Sequence, residues 1–296
     1  MSPKKSPHEH RAPLDHVMAV LNLEETAPDR FTGHSLPEIS GRIYGGQVMA
    51  QALIAAGATL VDDGDGPREV HSFHGYFLRP GDLSVPLELA VERLHDGRSF
   101  STRRTHAIQN GKPILSMIFS FQEEQEGLDH QSRMPNVPMP GELRSGNDIY
   151  SKLDEEFAAK MLRTGAFDFR HVESNLLADV SPASQLRQAV WLRVNGSLPD
   201  RTSQLMHRAL LAYACDQVML EPVLRAHGLS WMAPGLKIAS LDHSMWFHRP
   251  FDMRDWLLFV QSSPSAQGGR GLGEGLIYDT SGRLVASAAQ EGMVRT

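Results

Sequence analysis

The sequence predicts an α+β protein in which one unit, an antiparallel sheet wrapped around a long helix, occurs twice. Three observations carry that prediction. Two segments repeat across the chain at a constant offset. Each half holds one run of helix formers long enough to serve as a central helix. Each of those runs is followed by strand-length apolar stretches separated by turn residues.

The repeat is clearest between His74-Gly75-Tyr76-Phe77-Leu78-Arg79-Pro80 and Ser244-Met245-Trp246-Phe247-His248-Arg249-Pro250, where aromatic residues precede a closing Arg-Pro. Further on, Asn110-Gly111-Lys112-Pro113-Ile114-Leu115-Ser116 is echoed by Ser281-Gly282-Arg283-Leu284-Val285-Ala286-Ser287. Pro80 to Pro250 is an offset of 170 and Gly111 to Gly282 one of 171. Chance likeness between two hairpins is the competing reading. The agreement of two independent offsets favours a duplicated domain.

In the first half, Gly45-Gly46 opens residues 47–60, rich in Ala, Leu, Ile and Met and free of proline, which reads as a helix. Strand-like stretches follow at 70–78, 87–94, 99–108 and 114–122. Arg79-Pro80-Gly81-Asp82, Asp96-Gly97 and Asn110-Gly111 punctuate them as turns. In the second half, residues 205–223 are almost wholly apolar and read as a buried helix. Strands are predicted at 236–247, 256–262, 271–278 and 284–290, with Asp279-Thr280-Ser281-Gly282 as a turn. Between the halves lie an acidic stretch at 123–127, a proline-spaced extended segment at 133–140, and a helix-like recurrence of Ile149, Leu153, Phe157 and Met161. The expected organisation is an N-terminal unit over 1–122, a crossover connection over 123–185 and a C-terminal unit over 186–296. Two antiparallel sheets, each wrapped around a long helix in one duplicated chain, describe a double hotdog.

Composition excludes several classes. The 296 residues hold 29 basic and 35 acidic side chains, a net charge of −6, which argues against a nucleic-acid partner. At this length roughly three quarters of the unfolded surface is buried, so core size is not limiting. The single cysteine, Cys215, excludes an internal disulfide and any cysteine-based zinc site. No apolar run reaches the ~18 residues of a membrane span. The polar start, residues 1–13, does not read as a signal peptide, and Met293-Val294-Arg295-Thr296 is not a peroxisomal Ser-Lys-Leu address, so cytoplasm is the expected compartment.

Several residues invite a chemical reading. Asp216 interrupts the most apolar helix, and a buried carboxylate is costly unless it is hydrogen-bonded or used. It reads either as a carboxylate facing a gap or a backbone amide, or as a general base. Ser240 shares a strand face with Ile238 and Asp242, with His243 pointing the other way by period-two alternation. Gln290 follows the small residues Ala286 and Ala288 on one strand face. Taken singly, Ser240 and Gln290 read as structural. Together with Asp216 they compose a water-activating set: a carboxylate to accept a proton, a hydroxyl and an amide to fix the water. Gly45-Gly46-Gln47 begins a helix, where first-turn N–H groups either form an ordinary turn or hold a developing oxyanion.

Other constellations are dismissed on spacing. His243 and His248, like His71 and His74, do not share a strand face as metal ligands do. Gly268, Gly269, Gly271, Gly273 and Gly275 form neither a dinucleotide nor a phosphate loop, and read as a strand that lets another backbone approach closely. Cys215, beside Ala214 in an apolar helix, reads as a small hydrophobe. No nucleophile elbow of the G-x-S-x-G kind occurs.

The runs Tyr44-Gly45-Gly46-Gln47-Val48, His71-Ser72-Phe73-His74-Gly75-Tyr76-Phe77-Leu78-Arg79-Pro80-Gly81-Asp82, and Ala107-Ile108-Gln109-Asn110-Gly111-Lys112-Pro113-Ile114 resemble the type II acyl-CoA thioesterase family. So do Leu241-Asp242-His243-Ser244-Met245-Trp246-Phe247-His248-Arg249-Pro250-Phe251 and Val285-Ala286-Ser287-Ala288-Ala289-Gln290-Glu291-Gly292. The resemblance implies a double hotdog that hydrolyses acyl-CoA to a free fatty acid and CoA without a cofactor or metal. It carries the family's Asp, Thr or Ser, and Gln onto Asp216, Ser240 and Gln290, with Ser240 standing where the familiar bacterial form has Thr. On this reading Asp216 is the general base, and Ser240 and Gln290 orient water. The N–H groups of Gly46 and Gln47 meet the oxyanion, which requires the first-half helix to face the second-half carboxylate. A homo-oligomer is compatible with the pattern. Two other readings are a non-catalytic acyl-CoA-binding hotdog and an enoyl-CoA hydratase, for which Asp29 and His34 are the nearest acid and imidazole pair.

Overall fold

The computed structural model describes residues 12–37, 41–60, 67–150, 165–177 and 185–296. After α1 (Pro13–Leu21), the short strands β1 (Glu24–Ala27) and β2 (Arg30–Gly33) lead to α2 (Gly45–Ala58), which is buried along most of its length. Its Ala-rich composition gives it helix propensity without bulk, so it lies close against the sheet. The meander that follows is β3 (Glu69–Phe77), β4 (Leu87–Asp96), β5 (Phe100–Gln109) and β6 (Lys112–Gln122). Asn110 and Gly111 both take positive φ, at 50° and 70°, the backbone that a tight hairpin between β5 and β6 requires. On β5 the inward face includes Arg103, whose Nη2 is 2.7 Å from Asp96 Oδ1 and whose Nε donates to Thr59 Oγ1 at 2.9 Å, just past the end of α2. A cation there faces the negative end of the helix dipole.

The connection contributes α3 (Gly146–Tyr150) and β7 (Phe167–His171), and the second half begins with β8 (Arg187–Val194), α4 (Gln204–Cys215) and α5 (Glu221–Ala226). These are followed by β9 (Lys237–Ser240), β10 (Asp242–Phe247), β11 (Leu257–Gln267), β12 (Arg270–Asp279) and β13 (Leu284–Arg295). Among the described residues the strands form one antiparallel sheet in the order β1-β2-β4-β5-β6-β3-β10-β13-β12-β11-β8-β7, with β9 paired to β13. The two sheets expected from the sequence are therefore joined, edge to edge, by β3 and β10. There Ser244 lies opposite His74, its equivalent 170 residues earlier, and the two side chains are 3.0 Å apart. A second contact between equivalents links Gly46 and Asp216, also 170 apart. Both contacts lie on the pseudo-twofold axis. The helices α2 and α4 pack on each other across it, and α5 packs on β8, β11 and β12.

Three expectations are corrected. The helix predicted over 205–223 is broken, with α4 ending at Cys215, a turn over 216–220 and α5 restarting at Glu221. Pro222 is the cause, because it lacks an N–H and its ring cannot follow a continuous helix, whereas it fits the first turn of a new one. The strand predicted over 236–247 is broken at Leu241, which separates β9 from β10. The connection over 123–185 is not merely a crossover, since it supplies the terminal strand β7. Its proline-spaced segment straps the outer face of the second half: Met134 and Val137 pack there, and Pro138 accepts from the indole of Trp191 at 2.9 Å. Of the predicted recurrence, Leu153, Phe157 and Met161 lie outside the described residues. Among the described residues no helix is long and apolar enough to cross a membrane.

Candidate active site

Asp216 caps the C-terminal end of α4, Ser240 ends β9, and Gln290 lies inside β13. The fold brings the three together. Ser240 Oγ donates to Asp216 Oδ1 at 3.0 Å, and Gln290 Nε2 donates to the same oxygen at 2.9 Å. Gln290 Nε2 also reaches Ser240 Oγ at 2.5 Å. The other carboxylate oxygen, Oδ2, accepts the Gly46 N–H at 2.8 Å. A carboxylate offers about four acceptor positions. Three are filled here, which leaves one, on Oδ2, for a further donor. Asp216 is half-buried rather than sunk in the apolar helix, because the helix stops at it.

The N-terminal end of α2 does face this carboxylate, as the expected arrangement requires. The expectation that Gly46 and Gln47 present open N–H groups to an oxyanion is corrected. Gly46's N–H is given to Asp216, and Gln47's is given to the Tyr44 carbonyl at 3.1 Å. The positive end of the helix dipole serves the aspartate itself. The Gln47 side chain turns away, holding the segment before the helix through Leu36 N at 2.9 Å and the His34 carbonyl at 3.1 Å. The approach also explains the two glycines. A Cβ at Gly45 would stand 2.9 Å from Asp216 Oδ2 and from the Phe77 ring, and one at Gly46 would stand 2.6 Å from the Tyr213 carbonyl oxygen.

Asp216 is held from behind by β12. Gly271 and Gly273 let α5 and the 216–220 turn settle onto the sheet, the close approach expected of this run. Gly275 instead makes room for Phe259 of β11, and Gly268 and Gly269 form the turn before β12 rather than part of the strand. The start of α5 is fixed by Glu221, which is buried and bonded to His171 at 2.8 Å, Gln188 at 2.8 Å and Trp231 at 3.0 Å. Burial alone raises that carboxyl, but the His171 charge and the three donors outweigh it and hold Glu221 below the usual carboxylate range.

His243 is a member of the cluster that alternation along one strand assigns to the opposite face. The break at Leu241 resets the alternation, and His243 Nδ1 lies 2.8 Å from Gln290 Oε1. Burial pushes its pKa below 6.5, against the opposing pull of the Asp216 charge. A histidine with a depressed folded pKa contributes stability above its unfolded value, and that contribution is lost as pH falls below it. His71, His207 and His248 are lowered by burial as well. The melting temperature is therefore expected to fall as pH drops from about 8 to about 5.5, and His243→Phe to make that slope shallower. A melting series at fixed ionic strength checks both.

The remaining candidates separate from the site. Asp29 pairs with Arg93 at 2.8 Å at the β1–β2 turn, and the His34 carbonyl anchors Gln47 and Gln51. Cys215 is buried, and burial pushes its thiol pKa up, which suits a packing role. Among the described residues no three metal-ligating side chains come together.

Comparison with known proteins gives concordant results. The family described as "Acyl-CoA thioesterase" matches residues 164–293, and that described as "Acyl-CoA thioesterase N-terminal domain" matches residues 34–122. The chain is 36% identical to "Acyl-CoA thioesterase 2" of Haemophilus influenzae, over 95% of this chain and 98% of that protein. It is likewise 36% identical to "Acyl-coenzyme A thioesterase 8" of Homo sapiens, over 94% of this chain and 88% of that one. Among solved structures it resembles the acyl-CoA thioesterase II TesB2 of Mycobacterium marinum, with a TM-score of 0.78, 38% identity, and coverage of 94% of this chain and 98% of that one. A hotdog-fold protein from Alicyclobacillus acidocaldarius, 16% identical with a TM-score of 0.76 and coverage of 95% and 98%, shares the fold.

Proposed function

This chain belongs to the acyl-CoA thioesterase family, and we propose on that premise that Asp216, Ser240 and Gln290 activate the water that cleaves its substrate. The chain is an acyl-CoA thioester hydrolase. Its substrate class is fatty acyl-CoA and its products are a free fatty acid and CoA.

A thioester is already activated towards water, so the protein's task is to place one water and receive its proton. Asp216 acts as general base through the open position on Oδ2. Ser240 and Gln290 keep the carboxylate turned towards the reacting carbon, and their hydroxyl and amide orient the water as it takes the place of the contact that Gln290 Nε2 otherwise makes with Ser240 Oγ. The water oxygen bonds to the thioester carbon while Asp216 takes a proton. The carbon–sulfur bond then breaks, and the proton passes to the departing sulfur. Gly46 fixes the second carboxylate oxygen, so the base is held from both halves of the chain.

The observation that supports this reading is the convergence, within 3.0 Å, of a carboxylate, a hydroxyl and a carboxamide delivered by one helix end and two strands. A non-catalytic acyl-CoA-binding protein has no need of such a set. Free-thiol release from an acyl-CoA series graded by chain length is the test. Steady multiple-turnover release is the expected result, and binding of palmitoyl-CoA without release refutes it.

A further inference from the structure

We infer that His243 is a positioning residue whose Nδ1–H holds the Gln290 carboxamide in the one orientation that directs its NH2 at Asp216 and Ser240. The inference rests on the reading of Gln290 as a water-orienting group.

The hydrogen-bond chemistry runs one way. Asp216 Oδ1 is an acceptor, so the Gln290 atom 2.9 Å from it is the amide nitrogen, and flipping the amide would set oxygen against oxygen. The Gln290 oxygen then faces His243 Nδ1 at 2.8 Å and accepts from it. Nδ1 therefore carries the proton, and in the neutral ring Nε2 is a bare acceptor. That Nε2 is buried and has no hydrogen-bond partner among the described residues. His243 and Gln290 are both 0% exposed. An imidazole with one nitrogen left unsatisfied in the core is a poor choice for packing alone, because its desolvation is not returned.

The duplicated half shows what packing alone selects. Phe73 is the equivalent of His243 at the 170-residue offset. It lies opposite Phe119 in the β3–β6 register, their ring centroids 5.8 Å apart. The β10–β13 register, continued one step from Ser244↔Ala289, puts His243 opposite Gln290, which corresponds to Phe119 at the 171-residue offset. The same place in the fold thus holds two phenyl rings in one half and an imidazole–carboxamide pair in the other. Phe73 and His243 even meet near the axis, with centroids 5.9 Å apart. The fold accepts an apolar pair there, so the polar pair answers to the carboxylate beside it. The same comparison explains why a duplicated chain carries this constellation in one half only: Gly46 stands at the position of Asp216, and Phe119 at that of Gln290.

The test is a double-substitution cycle on palmitoyl-CoA hydrolysis. His243→Phe is expected to lower kcat by about 10- to 100-fold with KM changed by less than about threefold. Combined with Gln290→Ala, it is expected to add no further loss, because His243 acts only through that amide. An unimpaired His243→Phe, or losses that multiply in the double variant, overturns the inference while leaving the role of Gln290 intact. A Gln290→Ala variant with normal turnover overturns both. A measurement on the unmodified protein keeps the question decidable if His243→Phe does not fold: the imidazole 15N shifts of His243 at neutral pH are expected to report the Nδ1–H tautomer. The Nε2–H tautomer sinks the inference.

Discussion

Asp216→Asn is expected to lower kcat for acyl-CoA hydrolysis by about 100- to 10,000-fold, the range that a positioned general base contributes, while the protein remains folded. The substitution keeps shape and volume, so the loss reports chemistry. It also has a structural signature. Asp216 accepts from Gly46 N–H on one oxygen and from Ser240 and Gln290 on the other. An asparagine that turns its NH2 towards Gly46 converts one hydrogen bond into a donor–donor contact, whereas the opposite orientation converts two, so the first is the less costly. A modest drop in melting temperature, equivalent to about 1–2 kcal/mol, should accompany the loss of turnover. Steady-state kinetics with a long-chain acyl-CoA and a thermal melt on one preparation check the pair. Near-normal hydrolysis by the folded variant would refute the assignment of the base.

How far the sequence could be read depended on whether a signal was local. The duplication was legible because Arg79-Pro80 and Arg249-Pro250 close matching aromatic runs, and the structure joins those runs as β3 and β10 across the pseudo-twofold axis. The Asn110-Gly111 hairpin was legible because its φ angles follow from residue type. The glycines of β12 read correctly as a place for close approach. Pro222 was also a local signal, and given its weight it predicts the break that makes Asp216 a helix end. His243 was not legible. Its direction depends on a break at Leu241, where the pairing with β13 slips by one residue, from Ser240 opposite Gly292 to Ser244 opposite Ala289, as β10 also joins β3, and no neighbour in sequence announces that slip. Buried charges were hidden for a related reason: Arg103 and Glu221 look like surface residues until Thr59 at the end of α2, Asp96 across the β4–β5 hairpin, and His171 and Gln188 on β7 and β8 are brought to them by the fold. Ser240 and Gln290, each unremarkable alone, gained meaning in the sequence only through the family resemblance.

The second large effect lies behind the site. A Cβ added at Gly273 would stand 2.1 Å from the Met219 carbonyl oxygen, which is backbone in the turn that follows Asp216. At Gly271 and Gly292 the obstruction is instead the side chains of Val223 and Leu220, which can yield by changing rotamer. A carbonyl in a tight turn cannot yield that way, so relief at Gly273 requires the 216–220 segment to lift off β12. Gly273→Ala is therefore expected to destabilise the fold by about 1–3 kcal/mol, seen as a melting temperature lower by about 2–8 °C. Asp216 heads that segment, and lifting it lengthens the contacts to Ser240 and Gln290, so kcat should fall about 10-fold or more in the surviving folded fraction. Gly127→Ala is the matched control, because a Cβ there meets nothing within 4 Å and its backbone is not in the positive-φ region. It should leave both quantities unchanged. If Gly273→Ala melts and turns over like the Gly127 control, the close packing of β12 against the turn is not what holds the carboxylate in place.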